Sequence, residues 1–333
     1  MDAVFSGTLY QIKQIASQVS KTIIHYKTLS TMRKKHSYFK SPQKDQQAFR
    51  DWLRRLEQIN GYSYEQYTLT TSLGNTQIYG LNTAATNVDT LVIFPGFRTT
   101  ALIWDLDQGL AALAQKFRIF LVETNGQPNL SDGYSPAIKS LDYGQWGAEV
   151  LEQLGIEQTY IAGASFGGLV CMKVALVVPQ KIKAAFLLNP GCFRMVSFGL
   201  TNLFYNLLPL LNPTTQNIRK FLNKVVFCPP EHQLSGAGEA LLIDYLQLAL
   251  TRYKDKTEKP YYMGDQLNGI KVDTYLLVGD KDILIPPQKS IQNAKKHLGN
   301  HLKEVHSFEQ VAHGIECYPP CMQYIERVME EEL

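Results

Sequence analysis

Between Tyr160 and Val170 a short β-branched and aromatic run passes through Gly163-Ala164-Ser165-Phe166-Gly167-Gly168 into an apolar helical pattern. A strand that turns into a helix within Gly-x-Ser-x-Gly lifts its serine onto a sharp elbow, with Oγ exposed above a parallel sheet. Gly163 and Gly167 have a steric role there. A Cβ at either position would crowd the neighbouring strand or the start of the helix. The positive end of the helix that follows Ser165 favours negative charge developing beside it. A dinucleotide-binding loop is the other glycine-rich strand-to-helix turn. It needs Gly-x-Gly-x-x-Gly, and here Ser165 stands where the second glycine must admit a pyrophosphate.

The 333 residues, 45% of them hydrophobic, suffice for one large α/β domain with an insertion. A net charge of +3 leaves no electrostatic footprint for nucleic acid. No apolar run reaches the roughly 18 residues of a membrane span. The start, Met1 to Gly7, lacks the apolar region of a secretory signal. Five cysteines fit reduced thiols in a cytoplasmic protein better than a disulfide framework.

Strand and helix patterns alternate through most of the chain. Runs at Glu65–Thr70 and Gln77–Leu81 flank Gly74-Asn75 as an antiparallel hairpin. Buried-strand runs follow at Thr90–Phe94, Phe117–Val122, Tyr160–Ala162, Ala184–Leu188, Val272–Val278 and His301–Phe308, with a helix from about Leu141 to Leu154. This rhythm predicts a mostly parallel β-sheet flanked by helices. Residues 61–191 and 266–333 form the core. Residues 192–265 break the rhythm as a helical, apolar insertion read as a lid. Residues 1–60 form an N-terminal helical extension, with Leu9, Ile12, Ile15, Val19 and Ile23 on one face and Phe49, Trp52, Leu53 and Leu56 on another. The extension suits packing on the core or a homodimer. Its basic patch, Arg33-Lys34-Lys35-His36, beside an apolar stripe also suits a lid or a membrane-surface helix.

A serine hydroxyl is a poor nucleophile until a base takes its proton, and the base needs an acid to hold it. Asp282 and His313 follow later strand runs in the order Ser, Asp, His. Loops at the carboxyl ends of parallel strands converge on one sheet edge, so the three residues can meet. Asp280 competes with Asp282 for the acid's role. His313, Cys317 and Cys321 are spaced four apart, as metal ligands on a helix could be. Pro319-Pro320 interrupts that helix, and neither metal nor cofactor is assigned.

The chain resembles the α/β-hydrolase fold superfamily in its lid-bearing serine-esterase branch. The matching pieces are Phe94-Pro95-Gly96-Phe97, Gly163 to Gly168, Gly279-Asp280-Lys281-Asp282 and Val311-Ala312-His313-Gly314. The resemblance implies Ser165 as nucleophile, His313 as general base and then acid, and Asp282 as the group orienting the imidazole, since the family's similar Gly-Asp-x-Asp uses its second aspartate. Asp280 would brace the turn. The implied oxyanion hole is formed by the backbone N–H groups of Phe97 and Phe166. Pro95 departs from the His-Gly of many relatives, which removes a side-chain brace but keeps the backbone donor.

The expected activity is cofactor-independent cleavage of a carboxylic ester, thioester or lactone, with a small apolar molecule as partner. Two other classes share these residues: an acyltransferase, and a ligand-binding protein that performs no chemistry. An insertion between core strands should sit over the nucleophile, so its apolar side chains, Phe198 and Phe204 among them, are expected to line the pocket. Arg98 either binds an acidic group of the substrate or is solvated.

Overall fold

The computed structural model describes residues 38–197 and 199–331. The apolar stripe Leu9–Ile23, the basic patch at 33–36 and Phe198 lie outside the described residues.

The first described helix, α1 (Pro42–Asn60), has proline in its first turn, where no backbone donor is lost. It stops at Gly61, whose φ of +78° few other residues tolerate. Phe49, Trp52, Leu53 and Leu56 are buried as their spacing predicts. Trp52 Nε1 donates to the carbonyl of Leu241, 2.9 Å away.

Just past α1 the chain is fastened to a buried carboxylate. Asp105, fully buried, accepts from Tyr64 OH at 2.5 Å, Tyr62 OH at 2.8 Å, Asn60 Nδ2 at 3.1 Å and the Leu110 amide at 2.9 Å. Burial raises its pKa, and the donors that surround it act in the opposite direction. Removing the acceptor strands several donors at once. Asp105→Ala is therefore expected to cost about 3 kcal/mol in urea unfolding, against about 1 kcal/mol for Tyr64→Phe. Equal losses would show that the cluster does not act as a unit.

The strands are β1 (Glu65–Thr71), β2 (Gly74–Leu81), β3 (Thr90–Phe94), β4 (Arg118–Val122), β5 (Thr159–Ala164), β6 (Ile182–Leu188), β7 (Asp273–Gly279) and β8 (Leu302–Phe308). They form one sheet in the order β1-β2-β4-β3-β5-β6-β7-β8. Pairs involving β1 and β2 are antiparallel, and every other neighbouring pair is parallel. The hairpin is present, but its turn is Ser72-Leu73, one pair before Gly74-Asn75. Leu73 is buried, and Thr71 Oγ1 closes the turn on the Gly74 carbonyl, so Gly74 and Asn75 already pair as strand.

Alternation explains why both faces are covered. In β3, Leu91 and Ile93 enter one apolar cluster while Val92 and Phe94 enter the other. Helices α3 (Asp142–Gln153) and α4 (Phe166–Val177) pack together, and both contribute to the second cluster. A short α2 (Ala111–Lys116) precedes β4. Between β6 and β7 lie α5 (Leu200–Leu211), α6 (Thr215–Phe221), a π-helical turn (Leu222–Val226) and α7 (Gly236–Arg252). After β7 come α8 (Pro287–Leu298) and, past β8, α9 (Pro319–Glu331). Pro319 and Pro320 begin α9 rather than interrupt it. All five cysteines are free thiols, and no described helix is long and apolar enough to cross a membrane.

The sequence runs outward in both directions from β3, to β4 on one side and β5 on the other. Such a reversal opens a crevice at the strands' carboxyl ends. The segments leaving β3 and β5 there are Pro95-Gly96-Phe97 and Ser165.

Candidate active site

Ser165 joins β5 to α4 with φ +52° and ψ −108°, a strained conformation for a residue with a Cβ. The surroundings hold it there. Its amide donates to the Leu188 carbonyl at 2.8 Å, and its carbonyl accepts from Gly191 at 2.8 Å and Gly168 at 3.2 Å. The flanking glycines are required by close approach. A Cβ on Gly163 would lie 2.3 Å from the Gly167 backbone, and one on Gly167 would lie 2.1 Å from the Phe94 carbonyl oxygen. Ser165 itself is partly exposed between buried neighbours.

The loop after β3 runs beside it. A Cβ built on Gly96 would come within 3.8 Å of Ser165 Cβ. Among the described residues neither the Phe97 nor the Phe166 amide has a backbone or side-chain acceptor, and Phe166 is the first residue of α4. Two unpaired donors and a helix N-terminus beside a serine can receive an oxyanion.

That loop is fastened from beneath by residues whose sequence gave no hint of this role. Gln127 Oε1 accepts from the Arg98 amide at 2.6 Å, and Gln127 Nε2 donates to Thr257 Oγ1 at 2.9 Å. Glu123, at the end of β4, accepts from Thr100 Oγ1 and, at 3.2 Å, from the Ala101 amide. Burial pushes the Glu123 carboxyl up to about 8, against the pull of these donors, so it is largely protonated at neutral pH. Arg98 is held in an ion pair. Its Nε lies 2.5 Å from Asp255 Oδ2, and this ion pair joins the loop to the segment after α7.

His313 and Asp282 meet as expected, Nδ1 to Oδ2 at 2.7 Å. The other Asp282 oxygen accepts from the Leu284 and Ile285 amides, each at 2.8 Å, which leaves the carboxylate fixed in orientation. Asp280 braces the turn instead. Its Oδ2 pairs with Lys281 at 2.9 Å, and its amide donates to Phe308. Burial lowers the His313 pKa, but the charge and hydrogen bond of Asp282 outweigh it and Glu316 adds to them. The net shift is upward. Glu316, one turn beyond, has its Oε2 sealed from solvent without a partner, and burial raises its own pKa.

Two further contacts hold the histidine loop. Asn189, at the end of β6, donates to the Ala312 and His313 carbonyls at 3.0 and 2.9 Å. The Ser165 amide bonds to Leu188, the residue just before Asn189, so one backbone bond and the Asn189 side chain join the elbow to the histidine. From the insertion, the Val225 and Val226 carbonyls accept from the His313 and Gly314 amides at 3.2 and 2.9 Å. Among the described residues no hydrogen bond joins Ser165 Oγ to His313 Nε2. Such bonds are often long before substrate binds.

The expected pocket residues fare differently. Phe198 lies outside the described residues. Phe204 sits on the outward face of α5 with 57% of its surface exposed, because Asn202, Asn206 and Pro209 occupy the inward side. The Phe204 ring meets that of Tyr205, with centroids 5.3 Å apart.

The model of the alpha/beta hydrolase fold family matches residues 89–315, which take in β3, the elbow and the histidine loop. The chain belongs to the α/β-hydrolase fold family. This α/β-hydrolase is 27% identical over 258 residues to the uncharacterized carboxylesterase nap of Bacillus subtilis, covering 72% of this chain and 78% of that one. It superposes on the crystal structure of naproxen esterase from Bacillus subtilis with a TM-score of 0.68, at 20% identity over 87% of this chain and 98% of that one. The carboxylesterase CesB of the same organism gives 0.68 at 18% identity, over 86% and 98%. At these identities the two structures establish the fold alone.

Proposed function

We propose that this α/β-hydrolase cleaves a carboxylic ester, or a thioester or lactone, through an acyl-enzyme on Ser165. The observation that carries the proposal is the placement of a strained, partly exposed serine beside two unpaired amides, in a fold where a fixed Asp282–His313 pair is tethered to the same sheet edge. The carboxylesterase names of its relatives support the same chemistry.

In the proposed reaction, Ser165 Oγ attacks the acyl carbon and gives its proton to His313 Nε2. The Phe97 and Phe166 amides receive the negative charge on the carbonyl oxygen. Collapse expels the alcohol or thiol, which takes the proton from His313. Water then attacks the acyl-enzyme with His313 as base, and the acid leaves as Ser165 regains its proton. Asp282 holds the tautomer that presents Nε2 and stabilises the imidazolium.

A fluorophosphonate probe tests the nucleophile directly. Labelling at Ser165 is the expected result; an intact protein that stays unlabelled would return it to the ligand-binding class. Adding alcohols or amines to an ester assay separates hydrolysis from transfer. Free acid should remain the main product, whereas acyl product growing at its expense would identify a transferase.

The raised His313 pKa gives a sign for the pH profile. The base must be neutral, so kcat/KM should rise with pH through a midpoint above the ordinary 6.5. Asp282→Asn removes the charge that raises this pKa. The midpoint should move down while kcat falls on the order of 10³-fold or more. An unmoved midpoint would mean that another group controls the acid limb.

A further inference from the structure

Helix α5 is amphipathic in the wrong direction for a helix that covers a core. Leu200, Leu203, Phe204, Leu207, Leu210 and Leu211 are 85, 45, 57, 39, 48 and 81% exposed. At 100° per residue they fall within an arc of about 120° on one side of the helix. The opposite side carries the polar groups. Asn202 Nδ2 donates to the Ser197 carbonyl at 2.5 Å, and Asn206 Nδ2 reaches Asn202 Oδ1 at 2.6 Å. Asn202 and Pro209 are the buried residues of the helix. The stripe is therefore not a core face left uncovered by a gap in packing. The protein has satisfied the polar side internally and turned the apolar side to the outside. Contiguous apolar surface of this kind marks an interaction site.

Charge indicates what the stripe meets. From Cys192 to Pro230 the chain contains Arg194, Arg219, Lys220 and Lys224 and no acidic residue. Arg219 is occupied by Glu239 at 3.0 Å. Lys220 and Lys224, in and just after α6, are exposed and form no ion pair among the described residues. Helix α6 and the π-helical turn both pack against α5, so the elements that carry these exposed lysines adjoin the helix that carries the stripe. An exposed apolar helical face with unpaired lysines on the adjoining elements, on a helix about 18 Å long, has the character of an element that lies in a membrane interface rather than across it.

We propose that α5 seats this protein on a lipid surface bearing anionic headgroups, with its leucine stripe in the acyl boundary and Lys220 and Lys224 at the headgroups. The proposal is independent of the chemistry assigned to Ser165.

Co-sedimentation of the full chain with vesicles tests it. Phosphatidylglycerol mixed with phosphatidylcholine is compared with phosphatidylcholine alone. The wild type should sediment with the anionic vesicles, and added salt should weaken binding. Leu203→Glu with Leu207→Glu should lower the partition at least about tenfold on both vesicles. Lys220→Ala with Lys224→Ala should lower it about tenfold on the anionic vesicles alone. If the glutamate variant loses its native melting transition, the exposed lysine pair carries the comparison. A wild type that stays in the supernatant, or variants that sediment as it does, would overturn the proposal. So would a solution dimer that the stripe variant dissociates, since a second copy would then be the occupant.

Discussion

Ser165→Ala should lower kcat on p-nitrophenyl acyl esters on the order of 10³-fold or more while leaving the fold intact. The exchange removes one oxygen and keeps the Cβ, so the backbone at φ +52° stays as strained as before and the melting temperature should move little. Ser165→Gly separates chemistry from strain. It should be equally inactive, yet about 1 kcal/mol more stable, because glycine adopts positive φ without steric cost. Together the two variants distinguish an elbow strained for catalysis from one that is merely tight. Activity surviving in Ser165→Ala would remove Ser165 as nucleophile. A stable, inactive alanine variant beside an unstabilised glycine variant would place the strain elsewhere in the turn.

The elbow was legible in the sequence because its constraint is local. Two glycines two residues either side of a serine, between a strand and a helix, specify close approach of backbone to backbone, and in the structure an added Cβ at Gly167 or Gly163 would come within 2.1 or 2.3 Å of backbone. Asp282 and His313 were legible for a related reason, since parallel strands deliver their following loops to one edge. Glu123, Gln127 and Asn189 were not. Each follows a strand as an ordinary polar residue, and its partner lies in a loop that sequence separation conceals. Arg98 likewise gave no sign of Asp255, 157 positions away. The insertion shows a sharper limit. Periodicity in Leu200–Leu211 reveals that one face of a helix is apolar, but not whether that face looks inward. The direction was set by Asn202, Asn206 and Pro209, which ordinary hydrophobic patterning assigns to solvent.

Gly167→Ala should be the most damaging single-methyl change near the site. Its Cβ would lie 2.1 Å from the Phe94 carbonyl oxygen and 2.8 Å from the Phe94 carbon and the Pro95 oxygen. All three are backbone atoms at the end of the central, fully buried β3, so no side chain can swing away to make room. Either the start of α4 or the segment carrying Gly96 and Phe97 must shift. The expected loss is about 4 kcal/mol of stability, in the range reached by changes that force core backbone to move. Whatever fraction folds should also lose activity on the order of 10²-fold or more, since either shift displaces one of the two unpaired amides from the position where charge develops. Gly236→Ala provides the comparison. Gly236 opens α7 at a negative φ, and nothing lies within 4 Å of the added Cβ. That variant should match the wild type or gain up to about 1 kcal/mol from helix propensity. Thermal melts and ester turnover on the two proteins decide the point. If Gly167→Ala were as stable and active as Gly236→Ala, the contact between the elbow and β3 would not be what holds the nucleophile and the oxyanion donors in register.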